Sequence, residues 1–86
     1  MLEPYQFEGC PYSRKVRFKL SELELDFIAR NVPEDRSRRE RIKRISGQVG
    51  VPLLIDSDND VAMPESNDII AYLEKTYGKR MRASQA

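Results

Sequence analysis

The sequence predicts an α/β fold in which a four-stranded mixed sheet is flanked by three helices, in the order βαβαββα. Three observations carry this expectation. Short apolar segments alternate with stretches of helical periodicity. A polar cluster, Asp56-Ser57-Asp58-Asn59-Asp60, separates two extended runs. Proline or glycine stands at most changes of pattern.

The first expected strand covers residues 5–8, with Pro4 at its entry, where a missing N–H does least harm. Gly9 breaks it. Pro11 suits the first turn of a helix, and Tyr12, Val16, Leu20 and Leu23 then recur at helical spacing. Residues 25–32 read as the second strand, because Leu25, Phe27 and Ala29 alternate with Asp26, Ile28 and Arg30. Pro33-Glu34-Asp35 opens a second helix, which Gly47 closes and which offers mainly Ile42 and Ile45 to a core. Residues 51–55 form a buried-looking strand with Pro52 near its start. The Asp56–Asp60 cluster is then a hairpin turn, and the chain returns through Val61-Ala62-Met63. Ser66 is a good N-cap for a third helix, whose Ile69, Ile70, Leu73 and Tyr77 share one face and which ends at Gly78. The first βαβ unit is expected to be parallel and right-handed, and the hairpin antiparallel. One domain, 1–78, is followed by an expected flexible tail, 79–86.

Composition narrows the function classes. At 86 residues, 40% hydrophobic and 34% charged, the chain fits one soluble domain with a modest core. A formal charge of +1 gives no bias toward nucleic acid or anionic membrane, and neither is an expected partner. No apolar run approaches the ~20 residues of a membrane span. The opening MLEPYQFEG carries acids and a proline where a secretory signal has basic and then apolar residues. A single cysteine cannot form an internal disulfide, so a reducing, cytoplasmic location is expected, as a monomer or weak dimer. With no histidine, a zinc site built from protein ligands alone is not expected.

Cys10 is the residue with chemistry to offer. A thiol attacks a disulfide as its thiolate, and a helix N-terminus favours that form through unpaired N–H groups and the positive end of the dipole. Cys10 stands just ahead of Pro11, with Ser13 placed to donate a hydroxyl hydrogen bond and Arg14 and Lys15 adding positive charge. The plainer reading makes Cys10 a small buried hydrophobe. Pro52 is tolerable at the start of a strand whether or not it has a function. The run from Arg36 to Arg44, six basic residues in nine, reads first as a solvated helix face. A docking face for acidic partners or a nucleic-acid patch are the sharper alternatives, the latter without the interleaved aromatics such binding shows. Asp56-x-Asp58-x-Asp60 fails as a calcium loop, because Val61 stands where glycine is needed and Asn67 where a bidentate glutamate is needed.

Three motifs in this order resemble a known superfamily: Cys10-Pro11-Tyr12-Ser13, Gly47-Gln48-Val49-Gly50-Val51-Pro52, and Pro64-Glu65-Ser66-Asn67-Asp68-Ile69-Ile70. They are similar to the thioredoxin superfamily, and within it to glutaredoxins and to the N-terminal, glutathione-binding domain of glutathione S-transferases. The likeness runs from about Tyr5 to Gly78. It implies a thioredoxin-like fold of glutaredoxin type with glutathione as co-substrate. Cys10 and Ser13 are then the catalytic pair, Ser13 replacing a resolving cysteine either natively or by design. The resemblance further implies a glutathione site of Pro11, Tyr12, Gln48, Val51, Pro52, Glu65 and Ser66, with a cis Val51–Pro52 bond. Glu65 would accept from the ligand's ammonium group, and the first N–H groups of the last helix would bind its α-carboxylate. Gln48, or one of the bases between Arg36 and Arg44, would reach the glycyl carboxylate.

With one cysteine the implied route is monothiol, acting on glutathionylated substrates. Two further readings stand beside it. One is a carrier in which two Cys10 thiolates and two glutathiones ligate a [2Fe–2S] cluster; the other is a non-catalytic glutathione-binding module. Glu8-Gly9 stands where dithiol glutaredoxins often carry a lysine, and a negative charge there would work against the thiolate. The helical second domain of a transferase is absent from these residues, so conjugation is not expected of this chain alone.

Overall fold

A computed structural model describes residues 1–78; the expected tail, 79–86, lies outside the described residues. Four strands form one sheet in the order β2-β1-β3-β4: β1 (Leu2–Gln6), β2 (Arg30–Asn31), β3 (Leu53–Asp56) and β4 (Val61–Pro64). The β1–β2 pair is parallel, and β1–β3 and β3–β4 are antiparallel, so the sheet is mixed as expected. Helices α1 (Pro11–Glu22), α2 (Glu40–Ser46) and α3 (Ser66–Leu73) flank it.

Alternation along the strands separates two cores. Leu2 and Leu54 face one side, where they pack with Val16, Leu20 and Leu23 beside α1 and with Ile69 and Leu73 of α3. Tyr5 and Leu53 face the other side and meet Val32 and Ile42 of α2. Adjacent Leu53 and Leu54, both fully buried, thus anchor opposite layers.

Several boundaries differ from the sequence expectation. β1 starts at Leu2 and ends at Gln6, so Pro4 lies inside a central strand. Its nitrogen faces β2, the side on which the Leu2 and Gln6 carbonyls accept from Ile28 and Val32. A residue there with an N–H would continue the ladder; Pro4 cannot. The second strand is correspondingly shorter than residues 25–32: one bridge at Phe27, then only Arg30–Asn31. Leu25 and Phe27 still pack inward on the first core, while Ala29 is exposed.

The second helix does not run from Pro33 to Gly47. The Asp35 carboxylate accepts from the Ser37 N–H at 3.0 Å and the Ser37 hydroxyl at 2.8 Å, capping a separate 3-10 turn over Arg36–Arg38. α2 begins after Arg39 and ends at Gly47, whose φ of 77° lies in the left-handed region glycine favours. Ile42 is its one buried residue; Ile45 is 42% exposed rather than in the core. Tyr12, expected on the apolar face of α1, is 59% exposed.

Asp56 is not merely a turn residue. It closes β3 with no exposed surface and accepts from the Tyr72 and Tyr77 hydroxyls at 2.6 Å each, Asn59 Nδ2 at 2.9 Å and the Asp58 N–H at 3.2 Å. This carboxylate ties the sheet to α3 and to the wider π-type turn Glu74–Gly78 that follows it. Burial pushes its pKa up, yet the hydroxyl, amide and backbone donors outweigh burial and hold it below the ordinary value of 3.8.

Candidate functional site

α1 begins at Pro11 because Cys10, in extended conformation (φ −76°, ψ 120°), caps it. The Cys10 Sγ accepts from the Ser13 N–H at 3.4 Å, and its own N–H donates to the Phe7 carbonyl at 3.1 Å. The sulfur is therefore seated at the helix mouth, as the sequence implied. It is also covered: Cys10 is 4% exposed, though it belongs to neither apolar cluster. Burial raises its pKa, but the Ser13 hydroxyl, the N–H groups of Ser13 and Tyr12 and the charge of Arg39 together hold it below the ordinary 9.0. Ser13 Oγ is itself buried and has no hydrogen-bond partner among the described residues, so its proton is free to turn toward an ionised sulfur.

The charge beside the sulfur is not the one the sequence suggested. Arg14 and Lys15 are exposed, and Lys15 Nζ donates to Asn67 Oδ1 at 2.9 Å. Arg39, taken as part of a solvated basic face, is instead 4% exposed and lowers the Cys10 pKa. Its signal in the sequence was masked by five basic neighbours. The remaining run divides further: Arg41 stands over the Tyr5 ring at 5.0 Å, while Arg36, Arg38, Lys43 and Arg44 are exposed. Glu8 is drawn toward Arg17, whose Nη2 lies 3.5 Å from Glu8 Oε1.

Next to the helix mouth lies a cleft of about 430 Å³, within the range of small-ligand sites. It brings together six expected residues: Tyr12, Gln48, Val51, Pro52, Glu65 and Ser66. Lys15, Arg36 and Asn67 also line it and were not assigned to the glutathione site, though Lys15 was read as a charge beside Cys10 and Arg36 belonged to the run considered for a carboxylate. Cys10, Pro11 and Ser13 are not among the lining residues. Pro11 is exposed at the first turn of α1, and Cys10 and Ser13 are buried there. A separate apolar hollow of about 370 Å³, bordered by Phe18 and Ile70, contains none of the expected site.

The Val51–Pro52 bond is cis, and the ladder begins only at Leu53, leaving the Val51 N–H and C=O outside the sheet. Gln48 folds back on its own loop: Oε1 accepts from the Gly50 N–H at 2.6 Å, and Nε2 donates to the Gly50 carbonyl and to Ser46 Oγ at 3.2 Å each. Its amide thus shapes the approach to Val51 before it meets any ligand. Ser66 is not the N-cap but the first residue of α3. Glu65 holds the cap position with φ 74°, a left-handed conformation uncommon for a residue with a side chain. Glu65 is exposed and lines the cleft, as do Ser66 and Asn67, the first two residues of α3. No cluster of three or more metal-binding side chains occurs among the described residues.

A family profile described as "Glutathione S-transferase, N-terminal domain" matches residues 5–81. The chain is 29% identical over 75 residues to an uncharacterized glutaredoxin-like 8.6 kDa protein from the rubredoxin operon of Clostridium pasteurianum, covering 87% of this chain and all of that one. It is 34% identical over 80 residues to glutaredoxin 2 of Escherichia coli K12, covering 87% of this chain but 34% of that protein. A glutathione transferase homolog from Drosophila mojavensis, solved with bound glutathione, superimposes with a TM-score of 0.82 at 30% identity, over 91% of this chain and 36% of that one. The chain therefore spans the whole of one relative and about a third of the other two. With α1, the cleft-forming loops and α3 all inside the matched region, it belongs to the glutathione S-transferase N-terminal domain family.

Proposed function

We propose that this protein is a glutathione-dependent thiol–disulfide oxidoreductase working by a monothiol cycle. The observation that carries the reading is the Cys10 sulfur, an N-cap acceptor with a lowered pKa at the mouth of α1, whose Tyr12 and Lys15 line a ligand-sized cleft. In the first step the Cys10 thiolate attacks the glutathione sulfur of a mixed disulfide. The new Cys10–glutathione S–S bond forms as the old one breaks, and the substrate thiol leaves with the electron pair. A second glutathione thiolate then attacks that bond, releasing oxidised glutathione and restoring the Cys10 thiolate.

The cleft offers a group suited to each end of the tripeptide. Val51 offers an unpaired backbone edge for strand-like pairing. The α3 N-terminus with Ser66 suits the α-carboxylate, and Glu65 suits the ammonium. Arg36, a cation in the cleft wall, suits the glycyl carboxylate better than Gln48, whose amide is engaged. A sulfur at 4% exposure leaves little room for in-line attack, so the exposed Glu8-Gly9 turn is the part expected to open in turnover. The same covering does not favour a cluster shared between two Cys10 sulfurs, which would have to stand clear of the surface.

The experiment offers a glutathionylated peptide or a small mixed disulfide of glutathione, with turnover followed by thiol release. Acceleration that vanishes in Cys10→Ser supports the cycle; a rate no faster than buffer, or full activity in Cys10→Ser, overturns it.

A further inference from the structure

Arg39 lies where the 3-10 turn gives way to α2, and its guanidinium points into the protein. Nε donates to the Pro33 carbonyl at 2.8 Å, Nη1 to the Val49 carbonyl at 2.9 Å and Nη2 to the Glu34 carbonyl at 2.8 Å. The same group stands 5.3 Å from the centroid of the Phe7 ring. No carboxylate lies within ion-pair distance of it among the described residues. Asp35 senses its charge, but the Asp35 pKa is lowered first by the Ser37 hydroxyl and N–H and only lastly by Arg39.

Two features make this more than a surface strap. The first is what the contacts join. Val49 leads through Gly50 into Val51 and Pro52 of the cleft wall, and Phe7 supplies the carbonyl that holds the Cys10 N–H. One planar group therefore touches both segments that must stay in register if a cleft-bound ligand is to meet the sulfur. The second is charge. A buried cation without a carboxylate loses several kcal/mol of hydration, which carbonyl dipoles and a ring face offset only in part. The thiolate of Cys10 is the anion this site forms.

We propose that Arg39 is a positioning residue for the Cys10 reaction, clamping the cleft wall to the thiol loop and supplying the buried positive charge of the site. The inference rests on the monothiol reading above for its biological sense. Arginine is suited to both tasks because its fork makes three divergent hydrogen bonds while its face stacks on a ring; lysine keeps the charge but has neither the spread fork nor the flat face.

The test compares Arg39→Met and Arg39→Lys with the native protein. The readouts are ultraviolet thiolate titration, alkylation rate at neutral pH, and KM against kcat for glutathione. Arg39→Met is expected to move the thiolate midpoint upward, slow alkylation several-fold and raise KM. Arg39→Lys is expected to restore the midpoint but not KM. Native midpoints and KM in both variants overturn the proposal, as do losses that merely follow global stability. Should Arg39→Met fail to fold, the native protein still decides: the Arg39 Nε–H resonance is expected to shift as Cys10 ionises and to stay still in Cys10→Ser, and a resonance indifferent to Cys10 overturns the proposal. The titration and resonance readouts need no turnover. An inactive native protein that shows the coupling thus faults the proposed function alone, and an active one without it faults this inference alone.

Discussion

Removing one phenolic hydroxyl from the Asp56 network, by Tyr77→Phe, is expected to destabilise the fold by about 2 kcal/mol. The figure follows from the geometry. Asp56 has no exposed surface and takes four donors, two of them tyrosine hydroxyls at 2.6 Å. A hydrogen bond to an ionised acceptor contributes about 1.5–3 kcal/mol. Phenylalanine keeps the ring that packs on the first core, so the change isolates the hydroxyl. At a urea m-value of ~1 kcal/mol/M for a small domain, the midpoint falls by ~2 M. Tyr72→Phe is expected to act alike, and the double variant to lose more than the sum, because the carboxylate then keeps only Asn59 and the Asp58 N–H. The pH dependence has a definite sign. Because the folded pKa of Asp56 is lowered, its contribution is fully present above the unfolded value of ~3.9 and is lost as pH falls through the lower folded value. Tyr72 and Tyr77 have raised pKa values through burial and the Asp56 carboxylate, so folded stability also declines above pH ~10, where the unfolded chain starts to release phenolic protons. Single variants within ~0.5 kcal/mol of native, below the usual effect of a lost charged hydrogen bond, would refute this account of the network.

Three other outcomes follow. Ile42→Ala, which removes the one buried side chain of α2, is expected to cost about 2–5 kcal/mol and to shift the urea midpoint accordingly. Gly47→Ala places a side chain at φ 77° with open space around it, so the loss is backbone strain alone, about 1 kcal/mol by thermal unfolding. Glu65→Ala is expected to raise the dissociation constant for glutathione about tenfold in calorimetric titration, the equivalent of one charged contact, while leaving the thiolate midpoint of Cys10 in place.

Local chemistry that repeats along the chain was legible in advance. Pro11 at the first turn of α1, Gly47 at the end of α2, the hairpin turn and the Ile69–Leu73 face all express short-range rules, and six cleft residues followed from the motif likeness. What escaped the reading depends on partners distant in sequence. Nothing local marks Asp56 as buried, since its donors come from residues up to 21 positions away. Arg39 looks like its basic neighbours until Val49 and Phe7 fold around it. Pro4 sits inside a strand where the β1–β2 pairing lapses between the Phe27 bridge and Arg30, a fact belonging to the pairing and not to β1 alone. Glu65 carries a positive φ that a Ser-based cap rule would not anticipate, and the cap moves by one residue as a result.

The ionisation of one sulfur bears most of the weight. Ultraviolet titration of the native protein, with Cys10→Ser as the blank, reads it without reference to any substrate. A single thiolate step with its midpoint below 9.0 is the result expected, moving upward in Ser13→Ala. A midpoint at or above that value, unmoved by the loss of the Ser13 hydroxyl, would mean that burial prevails over the helix mouth and that Cys10 is an inert part of the interior.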